Sequence, residues 1–339
     1  MKNMVFMRNP EGLLEKKEFA SNAELSLLRI ADPIATQVVQ GYTNPELVGD
    51  KLFPSFRMAK ESGRFPAFGK EMFIIPGNLK RAVGEKVQRM LNESGYIQMA
   101  LSEYALGVGI ENRERNEWAG TPDQLVNGKL IMTAGKIALY REKLQSVLAT
   151  TYTNYASGNY TSGAALKWAT DGNPIVDMRT GALAILKKIG RRPNKAWFTP
   201  TAWELFINNA NVLERIKYQG TQAVPAQVTQ QAVAALLQVD EVFVGYAVSG
   251  TGSDGGFKKT APTMSYLWEV TNSACAGLAF VGSAAGIEPS FGYTYERANS
   301  PVIESYYENQ TKSQIWDFEH FFDPAITQNE AGYIIYAVA

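Results

Sequence analysis

Residues 121–154 read TPDQLVNGKLIMTAGKIALYREKLQSVLATTYTN, and this stretch decides the fold. Pro122 suits the first position of a helix, where its missing N–H would be unpaired in any case. No later proline interrupts the stretch, and Val126, Leu130, Ala134, Ile137, Leu144 and Val147 or Leu148 recur at helical spacing. At ~1.5 Å of rise per residue such a helix spans about 45 Å, more than the diameter of a small domain. Asn127, Lys136, Arg141, Glu142 and Gln145 fall on an opposite, polar face. The periodicity therefore predicts one apolar stripe against a sheet or a neighbour, and not a membrane span. A helix longer than the domain it serves predicts an elongated scaffold to which the rest of the chain attaches.

The 339 residues are enough to bury a large core, and the length suggests two domains. Apolar content of 45% and charged content of 19% are those of a folded protein, which argues against wholesale disorder. Lys plus Arg equals Asp plus Glu at 33 each, so no net positive field draws the chain to nucleic acid or anionic membrane. A single cysteine, Cys275, excludes an intramolecular disulfide framework and suits a reducing compartment. Met1–Met7 is a short apolar run broken by Arg8, Asn9 and Pro10, which is no secretory signal. The apolar run 274–287 is too short to span a bilayer and reads as core strands. These features predict a soluble cytoplasmic product.

Residues 1–52 have too few apolar positions for a core of their own and read as an arm. Ser21 and Glu24 form a capping-box pattern, Asp32-Pro33 ends that helix, and a second short helix covers 34–40. In 53–98, Pro54, Gly63, Pro66, Gly69, Pro76 and Gly77 punctuate short strands. Phe53, Phe56, Phe65, Phe68 and Phe73 alternate there with Arg57, Lys60, Arg64, Lys70, Arg81, Lys86 and Arg89. A two-stranded ribbon is not stable alone in water, so this one is expected to project and pack its aromatics on a neighbour. Nucleic-acid binding through the same residues is weakened by Glu61, Glu71, Glu85 and Glu93.

A strand at 104–114 feeds the long helix, and the Tyr/Asn/Ser/Gly-rich 152–163 marks a domain boundary. Residues 164–299 read as mixed α/β. A helix runs from Pro174 to Gly190, followed by a short strand at 196–198 and a helix capped by Thr199 with Pro200 in its first turn. A helix at 229–237, a strand at 241–248, a loop at 250–256 and strands near 264–270 and 278–281 follow. The tail alternates as strands at 302–307, 313–322 and 332–338, with Asp323-Pro324 and Asn329-Glu330 marking the turn between the last two.

Chemistry-bearing patterns are scarce. The single histidine, His320, lies among Phe318, Phe321 and Phe322 and reads as packed. One His and one Cys leave little material for a catalytic triad or a zinc site. No catalytic, cofactor or metal-ligating residue is identified. Gly250, Gly252 and Gly255 match the dinucleotide fingerprint after a strand. Phe257, Lys258, Lys259 and Pro262 then follow instead of a helix, which favours a loop tip.

The order of parts resembles the HK97-like major capsid proteins of tailed bacteriophages. An arm, a projecting hairpin, a strand and very long helix, an α/β domain and returning strands follow one another. Leu52-Phe53-Pro54, Ser62 to Pro66 and Phe68-Gly69-Lys70 resemble the approach to that family's extended loop. Pro193-Asn194, Trp203 to Leu205 and Val212 to Ile216 resemble its axial-domain helices. Leu267-Trp268 and Pro289 to Thr294 resemble the strands that follow.

The resemblance implies an α+β HK97-like capsid fold. Its parts are an N-terminal arm (1–52), an extended loop (53–98), a peripheral domain (99–155 and 300–339, with a spine helix near 122–153) and an axial domain (156–299). It implies a shell subunit without catalysis or cofactor that self-assembles through pentamers and hexamers around double-stranded DNA. Contact between subunits is expected at Arg57, Arg64, Phe65, Phe68, Lys70, Glu71, Phe73, Lys80, Arg81, Glu85 and Lys86 of the loop, and at Asp323 and Glu330 of the turn near threefold contacts. The 250–256 loop is expected at the fivefold and sixfold axes.

Expected partners are a separate scaffolding protein, since only about fifty residues precede Leu52, and a portal; a decoration protein is left open. Some members join a loop lysine to a neighbour's asparagine; Lys70, Lys80 and Lys86 lie in that region, with no specific pair matched. Assembly is expected in the host cytoplasm and residence in the virion, with no membrane partner. An encapsulin-type compartment shares the fold and is the alternative. A dinucleotide-dependent oxidoreductase is the remote one.

Overall fold

The long helix runs Pro122–Thr150 in a computed structural model of the protein. The structure describes residues 3–8, 14–19, 30–40, 44–66, 75, 80–81, 83–84, 86–87, 95–166, 168–170, 172–217, 228–251, 263–269, 274–283 and 289–338. Its strands in chain order begin with β1 (Asn3–Arg8), β2 (Leu14–Phe19), β3 (Ile30–Ala31), β4 (Ser55–Met58), β5 (Ser62–Pro66) and β6 (Tyr96–Ala100). Next come β7 (Ser102–Glu111), β8 (Tyr160–Ser162), β9 (Lys195–Phe198), β10 (Glu241–Val244), β11 (Val248–Thr251) and β12 (Thr263–Tyr266). The last are β13 (Ala276–Ala279), β14 (Gly292–Arg297), β15 (Val302–Glu308), β16 (Ser313–Ile326) and β17 (Gly332–Tyr336).

The chain divides into two units: residues 1–43, 103–137 and 299–321 form one, and 44–102, 138–298 and 322–339 the other. In the first, β1 and β2 pair as an antiparallel hairpin, and β15 lies between β3 and the first part of β16. A helix at Pro33–Gln40 starts where Asp32 Oδ1 accepts the Ile34 and Ala35 N–H groups, with proline in the first turn. The capping-box helix expected from Ser21 lies outside the described residues. Leu125, Leu130, Ala134 and Ile137 of the long helix are buried, as their spacing predicts. His320 is buried edge-on to Phe318.

In the second unit a five-stranded mixed sheet runs β10-β9-β13-β17-β8. Trp197, Phe198, Leu278, Ile334 and Ile335 are buried on it. The helix Pro174–Ile189 is capped by the Asn173 side chain and ended by Gly190 at φ 67°, and it buries Ile175, Met178, Ile185 and Ile189. Gly181 lets that helix approach β17, because a Cβ there would sit 2.5 Å from the Tyr333 ring. A second sheet segment joins residues 322–326 of β16 antiparallel to β14, and β14 parallel to β4.

Several local expectations are corrected. Asp323-Pro324 is not a turn, because β16 continues to Ile326 and Asp323 pairs with Tyr295. The strand expected at 241–248 is two strands broken at 245–247. Gly250 is not in a loop but in β11, opposite Met264. The strand expected at 264–270 stops at Tyr266, and Leu267–Glu269 is a 3-10 turn. Thr199 occupies the cap position of the helix Pro200–Ile207, but its hydroxyl accepts the Cys275 N–H while Glu269 Oε1 accepts the Thr201 N–H.

Candidate functional site

The polar face expected on the second half of the long helix is buried. Glu142 is 2% and Gln145 1% exposed, whereas Val147, expected in the apolar stripe, is exposed. The reason is a set of partners far away in sequence. Glu142 Oε1 accepts the Val48 N–H at 3.1 Å and the Trp268 indole N–H at 2.7 Å, and Oε2 accepts the Gly49 N–H at 2.8 Å. Burial pushes the Glu142 carboxyl above the usual carboxylate range, against the lowering effect of those three donors. Gln145 Nε2 donates to Asp50 Oδ1 and to Thr294 Oγ1, each at 2.8 Å.

One residue before Glu142, Arg141 pairs with Asp50 at 2.8 Å and with Glu296, and donates to Ser55 Oγ at 2.7 Å. Ser55 in turn donates to Glu296 Oε1 at 2.8 Å. Helical geometry explains the arrangement: residues 141, 142 and 145 project from neighbouring positions on one side of the helix. That side receives the short helix Gly49–Leu52, the start of β4, strand β14 and the turn at Trp268. The clamp therefore fixes the chain at the point where residues 53–98 depart.

Beyond the clamp an aromatic cluster seats the first limb of the loop. Phe65 of β5 lies 4.7 Å from the Tyr295 ring, and Phe56 meets both at 5.5 and 5.8 Å. Met58, Met99 and Tyr293 complete it. Phe53 is fully buried against Phe291. The expectation that Phe53, Phe56 and Phe65 pack on a neighbour is thus corrected, since β14 of the same chain covers them. From there β5 and β6 form a ribbon paired with each other, in the register Phe65 to Ile97.

The sequence-selected residues distribute as follows. Arg57 in β4 and Arg64 in β5 are exposed, Phe65 is half-buried in the cluster, and Lys80, Arg81 and Lys86 are exposed. Phe68, Lys70, Glu71, Phe73 and Glu85 lie outside the described residues. Asp323 is half-buried in β16, where burial raises its carboxyl. Glu330 is half-buried, and its carbonyl accepts the Asn159 side-chain N–H at 3.0 Å. The structure brings none of the exposed loop cations together with Asp323 or Glu330. The clamp of Arg141, Glu142, Gln145, Asp50 and Glu296 was missed, because nothing in local spacing separates these residues from a solvated helix face.

Elsewhere little chemistry is assembled. Cys275 is buried and its thiol is pushed up to about 12, chiefly by that burial, so it is unreactive at neutral pH. Burial raises the Glu241 carboxyl, but Lys195 and Lys51 together hold it below its ordinary value. No helix among the described residues is long and apolar enough to cross a membrane.

No family model matches the chain. The chain is 32% identical over 321 residues to the major capsid protein of Burkholderia phage BcepMu, covering 92% of this chain and 97% of that protein. A crystal structure of a phage-related protein from Bordetella bronchiseptica RB50 matches with a TM-score of 0.72 at 26% identity, over 91% of this chain and 98% of that one. The capsid structure of cyanophage P-SCSP1u shares the fold, with a TM-score of 0.52 at 11% identity over 84% and 86% of the two chains. The loop-bearing α+β fold and the near-full-length relative agree: the chain belongs to the HK97-like major capsid proteins of tailed bacteriophages, and its role is structural.

Proposed function

We propose that the chain assembles through pentamers and hexamers into a closed icosahedral shell around double-stranded DNA, without catalysing a reaction. One observation carries this reading: the loop displays apolar side chains that its own chain leaves uncovered. Ile75 is 86% exposed, Val87 67%, and Val83 fully so. They lie beyond a ribbon that pairs only with itself among the described residues. Such a ribbon gains stability by packing on another surface, and in a shell a second copy is always within reach.

In this reading 53–98 is the extended loop, 1–52 the arm, 99–155 with 300–339 the peripheral domain and 156–299 the axial domain. Arg57, Arg64, Lys80, Arg81 and Lys86 meet neighbouring subunits, as do Asp323 and Glu330 near the threefold contacts. A net charge of zero suits a wall that encloses DNA without gripping it. A separate scaffolding protein and a portal complete the assembly in the host cytoplasm. The test is to isolate particles, treat them with nuclease and extract them. Megadalton particles carrying protected double-stranded DNA are expected. Particles holding only a protein cargo, or a small oligomer that binds a dinucleotide, would overturn the reading.

A further inference from the structure

A second ribbon also shows an uncovered apolar face. Strands β11 and β12 pair with each other alone among the described residues, in the register Val248 to Tyr266 and Gly250 to Met264. Residues two apart along a strand share a face, so Val248, Gly250, Met264 and Tyr266 lie on one side, with Tyr246 leading into it. Met264 is 59% exposed, and Tyr246, Val248 and Tyr266 are exposed as well. The charged side chains near this face are acidic. Glu204 and Glu46, both exposed, lie close enough to act on the Tyr246 hydroxyl, whose pKa is raised by burial first and then by these carboxylates and Tyr266.

The segment 75–87 of the extended loop has the opposite character. It carries three cations, Lys80, Arg81 and Lys86, against the single carboxylate of Glu85. Ile75, Val83 and Val87 supply its exposed apolar side chains. Gly84 stands at φ 90° with open space around it, a backbone turn that keeps the segment narrow. We propose that the β11–β12 face, with Glu204 and Glu46 at its margin, is the docking surface for the 75–87 segment of a second copy of this chain. Apolar contact supplies the core of the interface, and the cation–carboxylate pairs at its edge select the register and exclude a like-charged segment. The inference rests on the shell reading and adds which surface receives the loop.

The test is a charge exchange. Glu46→Lys with Glu204→Lys places cations opposite cations, and Lys80→Glu, Arg81→Glu and Lys86→Glu places carboxylates opposite carboxylates. All five positions are exposed, so each chain should melt with the unaltered protein, which circular dichroism checks. Each altered chain is expected to lose shell yield by about tenfold or more, since like-charge juxtaposition costs several kcal/mol. Combining all five changes in one chain is expected to restore assembly. Undiminished yield from the Glu46/Glu204 variant, or no recovery in the five-fold variant, would overturn the docking. If the unaltered protein forms no shells, the shell reading fails first, and the two failures are thereby distinguished. A decoration protein or DNA as the true occupant would appear as loss of that binding with shell yield unchanged.

Discussion

The Glu142 carboxylate on the long helix accepts the indole N–H of Trp268 at 2.7 Å, across 126 residues of sequence. Trp268 is fully buried and packs on Trp197 at 5.5 Å, so this hydrogen bond ties the helix to the tryptophan pair behind β9. The same carboxylate holds the backbone of Val48 and Gly49 at the root of the extended loop. One side chain thus fixes both the turn that follows β12 and the place where the loop begins.

A pH dependence follows from the raised Glu142 carboxyl. The folded chain binds this proton more tightly than the unfolded chain, so Glu142 favours folding most below the ordinary carboxylate value of 4.5. That contribution declines as pH rises through the folded value. Glu142→Gln removes this slope, and because an amide sets an N–H against one backbone donor, it also costs about 1–3 kcal/mol. Urea titrations of both proteins from about pH 4.5 upward measure the difference. A variant whose stability falls with pH just as the unaltered protein's does would contradict the assignment.

Arg141 has a different energetic character. Glu296 is nearly buried, so Arg141→Met strands a carboxylate with Ser55 as its remaining donor, at a cost of about 3–5 kcal/mol. Adding Glu296→Gln should return much of that loss. A double-mutant cycle on denaturation free energies reads the coupling directly, and additive losses would show that the pair is not coupled.

Two glycines on either side of this story should respond in opposite directions. A Cβ on Gly49 would lie 2.1 Å from Gln145 Oε1 and 2.7 Å from Glu142 Oε2. Gly49→Ala is therefore expected to lower stability by about 1–3 kcal/mol through overpacking of the clamp. Gly128, within the long helix, has nothing within 4 Å, and Gly128→Ala should raise stability by about 0.5–1 kcal/mol. Thermal melts of the two variants check both signs.

Deleting 69–85 separates the role of the loop from the stability of its root. The clamp and the Phe56–Phe65–Tyr295 cluster lie outside the deletion. The shortened chain is expected to fold, with near-ultraviolet circular dichroism unchanged, and to lose normal assembly. Shells formed as before would show that the loop makes no essential contact between subunits.

Local signals carried much of the architecture. Asn173-Pro174 and Gly190 bound their helix because caps act within a few residues, and Tyr333, Ile334 and Ile335 declared a buried strand by composition. Leu130, Ala134 and Ile137 marked the buried stripe by spacing alone. Glu142 and Gln145 did not, because what buries them is a pair of backbone N–H groups, an indole and a threonine more than ninety positions away. Phe53 was misread for a related reason: Pro54 beside it signals a turn, and only the approach of Phe291 and Gly292 makes it core. Asp323-Pro324 likewise carries a turn signature, yet pairing with β14 keeps the strand extended through it. Among the candidate contacts, the exposed cations of the loop were legible as composition, whereas the clamp that holds the loop was not.

The central claim is assembly, and negative-stain electron microscopy of the purified protein tests it most directly. Closed, uniform, polyhedral shells are the expected image. A field of monomers or of a discrete small oligomer, with no shells, would contradict the account.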